Sequence, residues 1–243
     1  MINPDEIQKQ IEHELFNLEL SNINCKELFS SSFERVLCYQ NGRKKKATID
    51  ELDFIMSGFS AYPTTIILPS AHRINKRIND ASLIIEKILG RAIFANLYYS
   101  NSNSRTFPKH YDGHDVLALQ LTGSKEWVLY EPIVDNAIDS KKITTEAKFI
   151  SKITLNKNEL LYIPRGLIHE VTSTADDSLH ISFGVKHNFT CNIIKEQIEL
   201  ISYENPILRY DVAPQKNWQI QVIIRKHIMG MLKELEVEYT NNW

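Results

Sequence analysis

Cysteine is scarce: the chain has Cys25, Cys38 and Cys191, with no close pair among them. An odd, scattered set argues against a disulfide framework and against a cysteine zinc site, and it fits a reducing compartment. Long apolar runs are missing too. No stretch approaches the roughly 20 residues that a bilayer-spanning helix needs, and the amino terminus, Met1-Ile2-Asn3-Pro4-Asp5-Glu6, carries acid where a secretory leader needs base. The chain therefore reads as a soluble cytoplasmic protein. Nor is there an excess of charge: lysine and arginine number 28 against 30 aspartates and glutamates, a formal net charge of -2. Without a global field, neither nucleic acid nor a membrane is expected as a partner. Internal repeats and low-complexity segments are also absent.

What is there begins with 243 residues, 43% of them apolar, enough for one substantial core. Asn3-Pro4-Asp5-Glu6 is a helix start, and Ile7, Ile11 and Leu15 recur every four residues, which predicts an amphipathic helix from residue 4 to about 18. Residues 34–39 read as a strand closed by an Asn41-Gly42 turn, and Lys44-Lys45-Lys46 after it as a solvated loop. Thr48 and Glu51 have capping-box spacing for a short helix that Gly58 ends, and a second helix spans about 80–89, between Asn79-Asp80 and Gly90. From residue 92 the pattern changes. Short apolar or alternating runs at 92–99, 115–121, 125–130, 149–155, 159–163, 168–173 and 179–185 have the spacing of an all-β barrel or sandwich. Residues 190–202 and 216–237 return to helical periodicity, with Ile220, Ile223, Ile224, Ile228, Met231 and Leu235 on a broad apolar band. Three parts result: N-terminal helices and strands packing on a barrel (1–91), a β core (92–187) and a C-terminal helical extension (188–243). The apolar band raises the expectation of a homodimer through the C-terminal helices.

The chemistry is concentrated between Pro108 and Trp127. Residues two apart on a strand face the same way, so His110 and Asp112 are both expected to point into the β core. A second segment, Leu160 to His169, is an apolar strand that enters a Pro164–Gly166 turn and returns with a histidine. Where the two segments lie side by side, His169 supplies a third ligand. Two histidines and one carboxylate on one face of an octahedron leave three positions open, which suits iron(II) that binds a chelating cosubstrate and oxygen together. A closed structural zinc site leaves none. A His-x-Asp pair alone carries little weight, but Lys125 stands thirteen residues after Asp112, on the face of Trp127 in the next predicted strand. A buried lysine needs a charge partner, and the far carboxylate of 2-oxoglutarate would be one; the alternative is a lysine at a hairpin mouth reaching solvent just after Gly123.

The pattern His110-x-Asp112-x-x-Asp115-Val116-x-x-Leu119-Gln120-x-x-Gly123-x-Lys125-x-Trp127, followed by Ile163-Pro164-x-Gly166-x-x-His169, resembles the JmjC-type cupin oxygenases, especially their bacterial members and the ribosomal-oxygenase branch. The likeness covers roughly residues 92–185. It implies a mainly β chain with flanking helices, built on a double-stranded β-helix of the cupin or jelly-roll type. It implies iron(II) ligands at His110, Asp112 and His169, a 2-oxoglutarate carboxylate partner at Lys125, and Asn96 near that cosubstrate on an earlier strand, with oxygen completing the set. Beyond the pattern, His114 adds an imidazole expected at a solvent-exposed rim, and His180 and Ser182 alternate on one face within reach of the cosubstrate. About sixty residues follow the barrel, where that branch carries a dimerisation region and a winged-helix domain, which weighs against a ribosomal substrate.

The implied activity is an iron(II)- and 2-oxoglutarate-dependent oxygenase, a hydroxylase acting on a peptide or protein side chain or else on an amino-acid-like small molecule. Two alternatives stand beside it. One is a metal-binding cupin with other chemistry, although the glutamate that many such cupins place a few residues beyond their first histidines is lacking. The other is a noncatalytic JmjC-like interaction module, against which the intact triad counts. Residues 100–108 and 131–148 are expected to frame the entrance, and their composition selects no substrate.

Overall fold

A computed structural model describes residues 4–40, 43–46, 48–57, 63–101, 104, 107–175, 177–209, 211 and 217–241. The cap at Asn3, the Asn41-Gly42 turn, Gly58, the entrance residues 102, 103, 105 and 106, and the side chain of Leu235 lie outside the described residues. The chain divides into two compact units, Met1–His187 and Asn188–Trp243.

The first unit opens with α1 (Pro4–Phe16) and α2 (Cys25–Ser31), then the hairpin β1 (Leu37–Gln40) and β2 (Arg43–Lys46), α3 (Ile49–Met56), β3 (Thr64–Leu68) and α4 (Lys76–Leu89). The stripe on α1 is buried as its spacing requires, with Ile11 and Leu15 in the core and Ile7 packed against it. Both bonds of the Thr48–Glu51 capping box form, at 3.2 and 3.1 Å. Two expectations are corrected. The cap of α4 is Asn75, whose side chain accepts from the Ile78 N–H at 3.2 Å, so the helix starts a turn before Asn79-Asp80; its apolar face begins only at Ile78, and Lys76-Arg77 hide the first turn. Lys44–Lys46 belong to a strand rather than a loop, because pairing with β1 uses the backbone and tolerates exposed lysines at a sheet edge.

The remaining strands are β4 (Ile93–Ser100), β5 (His110–Tyr111), β6 (Asp115–Thr122), β7 (Ser124–Tyr130), β8 (Lys141–Lys142), β9 (Phe149–Asn156), β10 (Leu160–Ile163), β11 (Ile168–Ser173) and β12 (Ser178–Val185). They form two antiparallel sheets, β10-β6-β12-β4-β3-β1-β2 and β8-β5-β11-β7-β9, which meet where β12 contacts β7 and β6 contacts β9. Alternation along each strand sorts its side chains between two layers. One face of the larger sheet sends Ala95, Leu97, Leu117, Leu119, Ile181 and Phe183 into a core shared with α1 and α4. The opposite face sends Val116, Ala118 and Ile163 towards Trp127, Leu129 and Leu155 between the sheets. A third cluster, Tyr111, Ala137, Ile143 and Ile168, fastens part of segment 131–148 to the far side of β5 and β11.

The second unit consists of α5 (Thr190–Glu204), a 3-10 turn at Pro206–Arg209 and α6 (Asn217–Asn241). No described residue of α5 is buried, and α6 exposes Trp218, Val222, Ile223 and Met231. Among the described residues, no helix is long and apolar enough to cross a membrane.

The two-layer arrangement makes a direct prediction. Phe183 is fully buried on β12 and Leu83 on α4 is exposed. Phe183→Ala is expected to cost roughly 3–5 kcal/mol and Leu83→Ala no more than about 0.5 kcal/mol, by urea denaturation followed by circular dichroism. Equal losses would contradict the placement of the core.

Candidate metal centre

The pairing of β5 with β11 sets His110 directly opposite His169, and residues so paired share a face. The turn between β10 and β11 reinforces the match: Gly166 takes a φ of +84° and its N–H donates to the Asp112 carbonyl at 2.9 Å. Asp112 follows the short strand β5 rather than sitting within it, a correction to the expectation of one strand carrying both residues. Gly113 allows the bend, since a Cβ there would lie 2.5 Å from the Asp139 backbone nitrogen. The result brings one ligand atom from each of His110, Asp112 and His169 within 4.8 Å of one another.

Each side chain is oriented by a second bond. His110 Nδ1 lies 2.9 Å from the Pro108 carbonyl and His169 Nδ1 3.0 Å from the Leu167 carbonyl. A carbonyl only accepts, so both Nδ1 atoms carry a proton, and Nε2 is the atom each ring turns towards Asp112. Those Nε2 atoms stand 3.9 and 3.6 Å from Asp112 Oδ2, too far for a good hydrogen bond and near enough to share an ion. The other carboxylate oxygen, Oδ1, accepts from Ser140 Oγ at 3.0 Å, and that hydroxyl accepts the Gly113 N–H at 3.2 Å. Burial first, and the neighbouring charge of His110 second, lower the His169 pKa to about 4, so it stands as neutral imidazole, the form that ligates.

A second group lines the space between the sheets beside the triad. Lys125, Trp127 and Leu129 alternate along β7 on its buried face. Lys125 is 1% exposed; its Nζ donates to the Tyr98 carbonyl at 3.0 Å and lies 2.8 Å from His180 Nδ1. The Tyr98 and His180 rings stack at 4.7 Å, 5° from parallel, and the Trp127 ring lies 5.9 Å from His169 and 5.7 Å from His180. Burial pulls the Lys125 pKa well below its ordinary value, and burial followed by the charge of Lys125 does the same to His180. Among the described residues no carboxylate pairs with Lys125, and the Trp127 Nε1–H is buried without a partner. A buried ammonium with no carboxylate partner among the described residues, beside an indole N–H without an acceptor, fits an oxygen-rich anion, and two imidazoles with one carboxylate fit a divalent metal with open positions.

The remaining sequence candidates fall as follows. Asn96 is on β4, two residues from Tyr98 and on the same face, and its Oδ1 accepts from the Ser70 N–H at 3.0 Å. Ser182 pairs with Asn96 across β12 and β4. His114 is not on an exposed rim: it is half-buried with its ring 4.9 Å from Phe94, and burial lowers its pKa. Sequence reasoning missed Tyr98, which carried no motif, and Ser140, a lone hydroxyl in a segment without pattern. The alternation of Asn96, Tyr98 and Ser100 on one strand was the one available signal for Tyr98.

Comparison with known proteins adds three findings. The family model of the JmjC domain matches residues 71–193, half of the chain. Among curated proteins, the bifunctional lysine-specific demethylase and histidyl-hydroxylase NO66 of Dictyostelium discoideum is 39% identical over 105 residues, covering 40% of this chain and 20% of that protein. Its Drosophila melanogaster namesake is 29% identical over 164 residues, 62% and 24% of the two chains. Among solved structures, YcfD, a ribosomal oxygenase from Escherichia coli in complex with cobalt and 2-oxoglutarate, superposes with a TM-score of 0.58 at 17% identity, over 85% of this chain and 59% of that one. The chain thus spans about a fifth to a quarter of these curated relatives. The likeness to YcfD shows that the fold is the double-stranded β-helix expected from the sequence.

Lys125 also makes a prediction that needs no ligand. With its folded pKa below the ordinary 10.5, the unfolded chain binds more protons between those two values, so stability rises with pH across that window. Lys125→Met, which removes a buried charge while keeping bulk, is expected to leave stability at neutral pH equal to wild type or raise it by up to about 4 kcal/mol and to flatten the rise towards alkaline pH. Thermal melts across pH check both; an unchanged slope would count against the assignment.

Proposed function

This chain belongs to the JmjC-domain family, and from that premise we propose that it is an iron(II)- and 2-oxoglutarate-dependent oxygenase, a hydroxylase whose metal is held by His110, Asp112 and His169. The observation that carries the reading is the triad beside a buried lysine that has no carboxylate partner among the described residues. When bound, iron(II) and 2-oxoglutarate with oxygen supply an oxidant that places one oxygen atom in a substrate C–H bond, while 2-oxoglutarate leaves as succinate and carbon dioxide.

The side chains have separate tasks. His110, His169 and Asp112 hold the metal from one direction, and the backbone carbonyls behind the imidazoles and Ser140 behind the carboxylate keep the donor atoms aimed. Lys125 holds the far carboxylate of 2-oxoglutarate and regains a counter-ion in doing so. Asn96, fixed by Ser70, turns its amide donors to the same cosubstrate. Tyr98, Trp127 and His180 exclude water around the lysine, which strengthens its attraction for the carboxylate.

The substrate is proposed to be a peptide or protein side chain, in keeping with the names of NO66 and YcfD, with an amino-acid-like small molecule as the second choice. A cytoplasmic setting fits the free thiols of Cys25, Cys38 and Cys191. Residues 188–243 are proposed as a homodimerisation element, supported by the exposed Ile198, Leu200, Ile201, Trp218, Val222 and Ile223.

Asp112→Ala is expected to abolish conversion of 2-oxoglutarate to succinate, since it removes both a donor and the charge that balances the metal; substantial residual turnover in metal-controlled assays would defeat the triad. Lys125→Ala is expected to weaken 2-oxoglutarate binding and leave iron binding intact, as read by calorimetry. For the assembly, light scattering is expected to give twice the 28.2 kDa chain mass, and a single-chain mass would reject the dimer.

A further inference from the structure

Two buried side-chain atoms have no hydrogen-bond partner among the described residues, Gln120 Oε1 and Trp127 Nε1. The first accepts and the second donates. Burial of an unpaired N–H is unfavourable, and buried indoles ordinarily find an acceptor. Trp127 is 3% exposed, so bulk water does not supply one. Its ring packs with Val116, Ala118, Leu129, Leu155 and Ile163. Packing accounts for a large apolar ring at position 127. It does not account for an indole, since a phenyl ring packs there without an orphan donor.

The orphan lies on the path between the metal centre and the buried lysine. Leu129, Trp127 and Lys125 follow one another along the buried face of β7. Leu129 is the register partner of His169, which marks the metal end, and Lys125 marks the other. Trp127 stands between them, its ring 5.9 Å from His169 and 5.7 Å from His180. A cosubstrate that chelates the metal and reaches Lys125 therefore passes this indole.

Lys125 alone leaves a carboxylate short of donors. In its charged form the amine carries three N–H bonds. One goes to the Tyr98 carbonyl at 3.0 Å and a second to His180 Nδ1 at 2.8 Å, so one remains. A carboxylate has two oxygens and about four acceptor sites, and in a site without water a single N–H leaves it undersatisfied. The Tyr98 hydroxyl already has a partner in the Asn96 side chain. Gln120 spends its amide hydrogens on the Thr122 carbonyl and Ser178 Oγ, and its orphan oxygen repels an anion.

Taking the oxygenase reading as given, we propose that the Trp127 indole N–H is the second donor to the far carboxylate of 2-oxoglutarate, beside the ammonium of Lys125. The pair divides the work of selection. Lysine supplies charge, and the indole, fixed by its packing, supplies direction. A 2-oxo acid without the far carboxylate leaves both donors unpaired, so the site discriminates against it by more than the loss of one ion pair.

The test uses the full chain loaded with zinc(II), which permits binding without turnover, and compares 2-oxoglutarate with 2-oxobutyrate by calorimetry. The second acid keeps the chelating end and lacks the far carboxylate. Trp127→Phe is expected to weaken 2-oxoglutarate by about tenfold or more, the effect of one hydrogen bond to a charged acceptor, and to leave 2-oxobutyrate unchanged. Equal losses for the two acids would move the N–H to the chelating end, and no loss for either would leave the indole as packing; both overturn the assignment. A readout that keeps the indole covers a variant that fails to fold. The chain has three tryptophans, so Trp218→Phe with Trp243→Phe leaves one indole signal, that of Trp127. With a 15N-labelled indole, 2-oxoglutarate is expected to move that N–H proton downfield and 2-oxobutyrate is not. A signal that stays in place at saturating 2-oxoglutarate would overturn the assignment. A wild-type chain that binds no 2-oxoglutarate sinks the oxygenase reading and this inference together, whereas binding indifferent to Trp127→Phe sinks this inference alone.

Discussion

The antiparallel match of His110 with His169 is the constraint on which the site depends. The two residues are 59 positions apart in the chain, and their strands are short, so few ladder bonds hold them in register. A slip of one residue would turn an imidazole to the opposite face. Several local devices resist that slip: the Gly166 N–H bonded to Asp112, the bend at Gly113, and the cluster of Tyr111, Ile143 and Ile168 behind the strands. The donor set is thus fixed by backbone and packing before any ion arrives, which is the condition for binding without a reorganisation cost.

The neighbouring pocket works by the opposite principle. Lys125 is held out of water by Tyr98, Trp127 and His180 with no carboxylate among the described residues to balance it. That burial is unfavourable for the chain alone and becomes favourable when a carboxylate arrives. Free energy withheld from the fold is thereby released on binding. The triad is rigid and satisfied by second bonds, whereas the lysine pocket is incomplete, and the division matches a resident metal beside an exchanging cosubstrate.

The sequence announced these parts unequally. All the strands that alternate or run apolar after residue 92 appear within one residue of their expected limits, because one-sided burial leaves a period of two in β7 and burial on both faces leaves long apolar runs in β6 and β12. β3 left no such trace: its five residues are buried on both sides, so Thr64-Thr65-Ile66-Ile67-Leu68 shows no alternation. β2 was hidden for the opposite reason, having no buried side chain at all. The triad was legible from motif spacing, although Asp112 lies beyond its strand, and Lys125 from motif spacing and strand period together. Tyr98 and Ser140 were not, since each contributes through one contact that only the folded chain creates.

Ser140 ties the outer segment to the centre. It lies in the stretch 131–148 that lines one side of the β5–β11 pair, and its hydroxyl fixes the carboxylate of Asp112. A surface loop is ordinarily free to diverge, because it can be lengthened or replaced without touching the chemistry. In this protein that freedom is curtailed. Exchanging the whole stretch for another would also remove the latch on the Asp112 carboxylate, so tolerated change is confined to the residues on either side of Ser140.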